Sequence, residues 1–311
     1  MTPRPSLEWH LTDLCNYRCP YCCEGQHLLD RRRHGHAGDA TIRAVLGLLE
    51  RLPGSWQVKF SGAEETIHPR FMEVCRRVIE CGHTIALTTN FSPARPRLEQ
   101  LAGQCGPALE FLNASLHLGQ VDPDKFIDKA IFFQGVKDPA TDFTVCAVVT
   151  EENFDELMAI QDRLEQGSVA MAFQVLKVGA EFRRYPEHIE KAIKDSLVGG
   201  TESIRSFESY GTPCHTGQLF FVVKPNGMVF RCFSKKYWYN YMGNIRQGSF
   251  SLYDGPRPCL ADVCTCVVPA NRNMIRFGES SGPLAIMRHK AECLLTRLPN
   301  LLREPLYRGG S

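Results

Sequence analysis

The sequence predicts an α/β chain: a parallel sheet covered by helices, followed by a smaller cysteine-rich module. Two observations carry that prediction. Strand-like and helix-like segments alternate for roughly 200 residues, and serial β-α units build a parallel sheet with outer helices. Past about Thr201 the character changes: strands shorten, glycine turns appear at Gly227, Gly243 and Gly248, and cysteines become dense.

The strands expected in the first part are Leu7–Thr12, Gln57–Ser61, Thr84–Thr88, Leu109–Leu116, Phe143–Thr150 and Met171–Lys177. Amphipathic helical stretches lie between and after them, at Ala40–Leu52, Pro69–Cys81, Pro96–Ala102, Pro123–Phe133, Asn153–Gln166 and Pro186–Leu197. Several open with proline in the first turn, where the missing N–H costs nothing, and Asp122 ahead of Pro123 has the chemistry of an N-cap. The second part holds short strands at Gln218–Val223 and Met228–Cys232, and a last helix from about Leu284 to Leu301. The expected division is 1–200 for the α/β unit, 201–283 for the cysteine-rich module and 284–311 for the final helix and tail.

At 311 residues the chain has room for one large domain and a small module. Its 43% hydrophobic and 23% charged residues are those of an ordinary globular protein. A net charge of +2 makes no electrostatic case for nucleic acid. No apolar run approaches the roughly 18–20 residues of a membrane span. The N-terminus carries no secretory signal and enters a strand almost at once. Fourteen cysteines in such a chain read as metal ligands rather than disulfides, and the expected home is a cytoplasm kept low in oxygen.

The most informative run is Cys15-Asn16-Tyr17-Arg18-Cys19-Pro20-Tyr21-Cys22, a C-x3-C-x2-C pattern delivered by the first strand. A cubane iron–sulfur cluster normally takes four cysteines, so three in one tight loop leave one iron open to another ligand. A zinc site is the competing reading of a bare cysteine run. The pattern resembles the radical S-adenosylmethionine (radical SAM) superfamily. That resemblance implies a partial (β/α)6 TIM-type barrel, with chemistry at the C-terminal strand ends as in complete barrels. It implies a [4Fe–4S] cluster on Cys15, Cys19 and Cys22, with SAM chelating the open iron. Electron supply by a flavodoxin or ferredoxin-type donor, and reductive cleavage of SAM to a 5′-deoxyadenosyl radical, follow from it. Tyr21 matches the aromatic that the superfamily places against adenine.

Other segments match the superfamily in order. Phe60-Ser61-Gly62-Ala63-Glu64-Glu65-Thr66 ends the second strand and resembles the GGEP motif that binds the methionyl amine. Small residues there let backbone carbonyls and a carboxylate approach an ammonium group. Ala63 stands at the second glycine and Glu65 at the proline, so the turn is less pre-set and Glu65 competes with Glu64. Thr89-Asn90 closes the third strand, where the family often has a threonine–asparagine pair. Ser115 matches a residue that contacts the ribose or carboxylate of SAM, and Val149 lies in a segment that packs near adenine. The resemblance covers about residues 5–180.

Alternation along the first strand places Glu8 and His10 on one face and Leu7, Trp9 and Leu11 on the other. Gln57 and Lys59 share a face of the second strand, Asn113 and Ser115 a face of the fourth. A charged side chain in a strand buried on both faces is costly unless paired. Glu8, His10 and Lys59 are therefore candidates for substrate contact or proton handling, or for a hydrogen-bonded network of their own.

The second half offers Cys214, Cys232, Cys259, Cys264 and Cys266. Cys214, then Gly227 and Cys232, then the later thiols resemble the SPASM and twitch modules of some radical SAM enzymes. Five thiols suffice for one auxiliary [4Fe–4S] cluster with one left over; zinc again competes. The spare, Cys259, Cys264 or Cys266, is a candidate hydrogen-atom donor to a substrate radical. Alternatively Cys214, Cys232, Cys264 and Cys266 are the four ligands and Cys259 is structural, or one iron is left open for substrate. Cys75, Cys81, Cys105, Cys146 and Cys293 read as small buried hydrophobes, and Cys23 as pointing away from the cluster.

The resulting expectation is an oxidoreductase or epimerase that abstracts hydrogen from a C–H bond. Only fourteen residues precede Cys15, which favours a small polar metabolite, and the layout resembles enzymes acting on aminocyclitols and aminoglycosides. The alternatives are maturation of a ribosomally made peptide, and a SAM-binding iron–sulfur electron carrier or redox sensor.

Overall fold

A computed structural model describes residues 3–22, 35–178, 181–196, 207–233, 239–264 and 272–301. Cys23 and Cys266 lie outside the described residues.

The first part is a run of strand–helix units. These are β1 (Ser6–Trp9), α1 (Asp39–Leu49), β2 (Gln57–Phe60), α2 (Phe71–Glu80), β3 (Thr84–Thr89) and α3 (Arg95–Cys105). They continue with β4 (Leu109–Leu116), α4 (Pro123–Val136), β5 (Asp142–Val149), α5 (Phe154–Gln166) and β6 (Ala170–Val175). A two-residue hairpin, β7 (Lys177–Val178) and β8 (Glu181–Phe182), precedes α6 (Glu187–Ser196). Strands β1 to β6 pair in chain order and all in parallel, the six β-α units of a partial (β/α)6 barrel. The N-cap expected at Asp122 is present, its side chain accepting from the N–H groups of Asp124 and Lys125.

The remaining elements are short. They comprise β9 (Phe207–Glu208), β10 (Pro213–Cys214), β11 (Phe220–Val223), β12 (Met228–Phe230), β13 (Tyr241–Asn244), β14 (Arg257–Pro258), β15 (Val263–Cys264) and α7 (Pro283–Leu301). Strand β11 lies parallel to β1 on the edge away from β2, and β12 and β13 continue antiparallel from it. One nine-stranded sheet therefore runs β13-β12-β11-β1-β2-β3-β4-β5-β6. The sequence reading placed this hairpin in a separate module, whereas its strands extend the barrel's own sheet. The physical reason is visible in Phe220-Phe221-Val222-Val223. All four residues are buried, as suits an interior strand covered on both faces rather than a half-wet hairpin.

The main core lies between the sheet and the outer helices. Leu7, Trp9 and Leu11 are fully buried there, as are Val58, Phe60 and Leu112. Each such side chain contributes about 1.5–3 kcal/mol by leaving water. Their neighbours in sequence turn to the inner face. On β4, Leu112, Ala114 and Leu116 are buried while Asn113 and Ser115 stay half-buried, so the inner face is polar and partly open. Cys75, Cys105 and Cys293 are buried as small hydrophobes would be, and Cys81 is half-buried. Among the described residues no helix is long and apolar enough to cross a membrane.

Candidate active site

The three clustered cysteines sit on the loop that leaves β1 at the C-terminal end of the parallel strands. The loop is pinned at several points. Thr12 and His36 bridge its two ends, Asp13 N donates to Gly35 O at 3.1 Å, and Ala37 N donates to Leu11 O at 2.7 Å. Asn90 Nδ2 donates to Asn16 Oδ1 at 2.7 Å, tying the loop to the end of β3. Arg18 N donates to Gln120 Oε1 at 2.9 Å, tying it to the segment after β4. Tyr21 stacks on His117 with ring centroids 5.9 Å apart, and its hydroxyl lies 3.2 Å from His117 Nδ1. His117 and Gln120 did not stand out in the sequence reading. Their signal was position, at the C-terminal end of a parallel strand.

Cys15 Sγ accepts from Tyr17 N at 3.4 Å and faces Asn90 Nδ2 at 3.9 Å. Burial pushes the Cys19 thiol up to about 11, with Cys15 and Cys22 as further negative neighbours. The Cys15 thiol is raised for the same first reason. Cys22 N donates to Cys19 O at 3.2 Å, closing the turn between the second and third cysteines. Among the described residues no three His, Cys, Asp or Glu side chains close on a single point as one metal ion requires. Three thiols on one short loop supply three of the four cysteines that a cubane cluster takes and leave one iron open.

The Ser61–Thr66 turn lies beside this loop. Gly62 has φ +129°, and a Cβ there would fall 2.5 Å from His10 Nδ1, so only glycine lets the turn rest on the imidazole. Glu64 is fully buried. One of its oxygens accepts from Thr66 Oγ1, from Thr66 N at 3.3 Å and from Thr89 Oγ1 at 2.7 Å. The other accepts from Asn90 N at 2.6 Å. Its carboxylate thus fastens the turn to β3, and Glu64 N donates to Leu14 O at 3.1 Å, fastening it to the cysteine loop. Burial raises the Glu64 carboxyl despite these donors.

Glu65, at the position of the motif's proline, does a different task. One oxygen accepts from Leu11 N at 2.7 Å and Thr12 N at 3.1 Å, clamping the exit of β1 three residues before Cys15. The other oxygen is buried with no hydrogen-bond partner. Burial, with Glu64 as a like-charged neighbour, holds the Glu65 carboxyl well above its ordinary 4.5. A raised carboxyl gives full stability below pH 4.5 and loses it as the pH climbs toward the folded value. Glu65→Gln, which keeps the acceptor without the charge, is therefore expected to equal the wild type near pH 4.5 and exceed it in melting temperature at pH 8. Glu65→Leu is expected to cost about 1–3 kcal/mol for each stranded N–H. Thermal unfolding across that pH range checks both, and a Gln variant less stable than wild type at pH 8 contradicts the assignment.

Glu8, His10 and Lys59 come together on the inner face. Glu8 and Lys59 are register partners across β1 and β2. Glu8 accepts from Ser61 Oγ, lies 3.4 Å from His10 Nε2 and 3.7 Å from Lys59 Nζ. Burial alone would raise its carboxyl; the Lys59 ammonium, His10 and Ser61 outweigh it and hold the group at about 2. Lys224, just beyond β11, completes the chain with Nζ 3.0 Å from His10 Nδ1. An ammonium only donates, so His10 Nδ1 accepts and the ring proton sits on Nε2, facing Glu8. Sequence reasoning missed Lys224 because nothing in the chain announced that β11 would dock beside β1. Val149, expected near the cofactor, is instead buried among the outer helices, and its carbonyl accepts from Tyr185 Oη at 2.7 Å. Alternation on β5 turns Val148 to the inner face in its place. Ser115 is half-buried on the inner face of β4.

A second cysteine set lies among the short strands of the C-terminal part. Cys214, Cys232, Cys259 and Cys264 line one cavity together with Arg231, Ser209 and Thr216. Four separate segments bring them there: β10, the end of the β12 strand, the end of β14 and β15. Cys214 Sγ accepts from Thr216 Oγ1 at 3.3 Å, and Cys259 Sγ lies 3.5 Å from Ser209 Oγ. Burial pushes the Cys214 thiol up to about 11 and raises that of Cys259. Cys259 is thus with the other three rather than apart from them.

The model of the radical SAM superfamily matches residues 9–122. That stretch, just over a third of the chain, holds the cysteine loop, the Ser61–Thr66 turn and the Thr89-Asn90 pair, and it is there that the chain is similar to the radical SAM superfamily. A probable GTP 3′,8-cyclase of Thermococcus kodakarensis is 33% identical over 117 residues, 37% of this chain and 36% of that protein. The chain spans between about a quarter and just over half the length of the curated relatives it matches. Among solved structures, native anSMEcpe with bound AdoMet superposes with a TM-score of 0.55 at 14% identity, covering 96% of this chain and 98% of that one. SuiB of Streptococcus suis bound to S-adenosylmethionine gives 0.51 at 16% identity, over 74% of this chain and 60% of that one. Both likenesses are of fold.

Proposed function

We propose that the chain is a radical SAM oxidoreductase or epimerase that acts on a small, polar, donor-rich metabolite of aminocyclitol or aminoglycoside type. When bound at Cys15, Cys19 and Cys22, the cluster and SAM supply a 5′-deoxyadenosyl radical that abstracts hydrogen from a substrate C–H bond. Tyr21, the Ser61–Ala63 backbone, Asn90 and Ser115 surround the place where SAM would lie. The four thiols of Cys214, Cys232, Cys259 and Cys264 would hold an auxiliary [4Fe–4S] cluster that exchanges electrons with the substrate. If so, none of these four is spare, and a hydrogen-atom donor falls to Cys266 or to a non-thiol group.

One observation carries the substrate reading. Two buried acceptors on the inner face have no hydrogen-bond partner: Asn113 Oδ1, and Glu8 Oε2, whose cationic neighbour Lys59 Nζ stands 3.7 Å away. Orphaned acceptors of this kind are costly unless a ligand donates to them. A substrate bearing ammonium and hydroxyl groups satisfies both. Lys59, His10 and Ser61 keep Glu8 ionised and so ready to accept.

The reading is tested with the anaerobically loaded protein, SAM and a reductant, challenged with C-deuterated aminocyclitols and, in parallel, with peptides. Deuterium in 5′-deoxyadenosine from an aminocyclitol supports it. Deuterium arriving only from peptides replaces it with peptide maturation, and SAM binding without cleavage under any condition replaces it with an electron carrier or sensor.

A further inference from the structure

Among the described residues Arg231 is the most buried lysine or arginine, at 3% exposure, and its side-chain hydrogen bonds go to no carboxylate. Its Nε and Nη2 donate to Thr216 Oγ1 at 3.2 and 3.1 Å. Its Nη1 donates to Pro258 O at 3.0 Å and to His289 Nε2 at 2.7 Å, and Nη2 also donates to Arg257 O at 3.2 Å. The guanidinium carbon lies 5.8 Å from the centre of the Tyr253 ring. Every partner is neutral. His289 accepts from Arg231 and so carries no proton on Nε2.

A charge taken out of water costs several kcal/mol and is repaid only by an opposite charge nearby. Hydrogen bonds to hydroxyls and carbonyls satisfy the N–H groups without supplying that charge. The thiols that share the cavity are placed to supply it: Cys232, then Tyr253, Cys214 and Cys259 act on the guanidinium, while the Glu292 carboxylate stands behind His289, 3.6 Å from its Nδ1. As thiols they are neutral. As ligands of a metal centre they are thiolates, and four of them around a [4Fe–4S] core leave the whole centre anionic. The buried arginine then has its counter-charge.

We infer that Arg231 is the built-in counter-cation of the auxiliary metal–thiolate centre, a positioning residue that stabilises its more reduced, more negative state and so raises its reduction potential. The inference rests on the proposal that Cys214, Cys232, Cys259 and Cys264 hold a cluster. Cluster potentials respond to net charge and hydrogen bonding nearby, and an arginine held in place by fixed carbonyls and an imidazole is suited to that role. Its place beside Cys232 makes the effect local to this site.

The test uses the full chain carrying Cys15→Ala, Cys19→Ala and Cys22→Ala, so that only the second site reports. Iron content and the midpoint potential are measured for that protein and for the same protein with Arg231→Lys, Arg231→Gln or His289→Glu. The Lys variant keeps the charge and is expected to keep a potential near the parent's. The Gln variant is expected to shift the one-electron reduction equilibrium at least tenfold toward the oxidised form, about 59 mV lower. His289→Glu leaves Arg231 in place and neutralises it, and is expected to lower the potential likewise, which covers the case in which the Gln variant does not fold. Iron retained with all potentials unchanged overturns the role of Arg231. No iron in the parent protein overturns the cluster proposal itself, a different and recognisable failure.

Discussion

Cys15→Ala, Cys19→Ala and Cys22→Ala together are expected to abolish reductive cleavage of SAM while leaving about four irons and four labile sulfides per chain. The loop that carries these thiols is held by side chains other than the cysteines. Asn16, Arg18, Tyr21 and the backbone at Leu11 and Thr12 all have partners on neighbouring elements. The substitutions therefore remove ligands without removing the loop's anchors. The irons expected to remain are those proposed for Cys214, Cys232, Cys259 and Cys264, which share a cavity remote in sequence from the first loop. Adding Cys232→Ala is expected to strip most of the residual iron. Iron and sulfide analysis of the anaerobically reconstituted variants checks both steps. A triple variant without iron would leave the second cysteine set without its proposed cluster.

Glu8→Ala is expected to be the most damaging single change on the inner face. It removes a buried carboxylate that neutralises Lys59 and accepts from Ser61. Breaking a buried pair by deleting one partner costs about 3–5 kcal/mol, because the other charge is left uncompensated. The pH dependence has a definite sign. The folded carboxyl titrates near 2 against an ordinary 4.5. Its contribution is complete above pH 4.5 and is lost as the pH falls toward 2. Wild type is therefore expected to lose stability through that window more steeply than Glu8→Ala, so the two proteins converge at acid pH. Chemical denaturation at pH 7 and pH 3 reads this directly. A gap between them that stays constant with pH contradicts the ionised Glu8.

Much of this was legible in the chain. The β-α alternation located every strand and helix of the barrel to within a few residues, because apolar periodicity is strong in strands covered on both faces. Alternation also put Glu8 and His10 on one face of β1 and Lys59 with Gln57 on one face of β2, and the structure brings Glu8, His10 and Lys59 within ion-pair reach. What stayed hidden depends on which segments become neighbours. Lys224 joins His10 only because an apolar strand more than 200 residues later docks on the free edge of β1. Arg231 reads in sequence as an ordinary hairpin residue before a cysteine, and its burial follows from β14 and α7 closing over it. Glu65 read as a defect in a motif and proves to be a clamp. Val149 was named through a resemblance of its whole segment, and its side chain turns to the outer helices.

The most direct test of the central claim is 5′-deoxyadenosine formation by the anaerobically loaded wild-type protein given SAM and a strong reductant. The account predicts 5′-deoxyadenosine and methionine in equal amounts, and none from the Cys15→Ala, Cys19→Ala, Cys22→Ala protein. A wild-type chain that holds its iron and binds SAM yet forms no 5′-deoxyadenosine, with substrate or without, would contradict it.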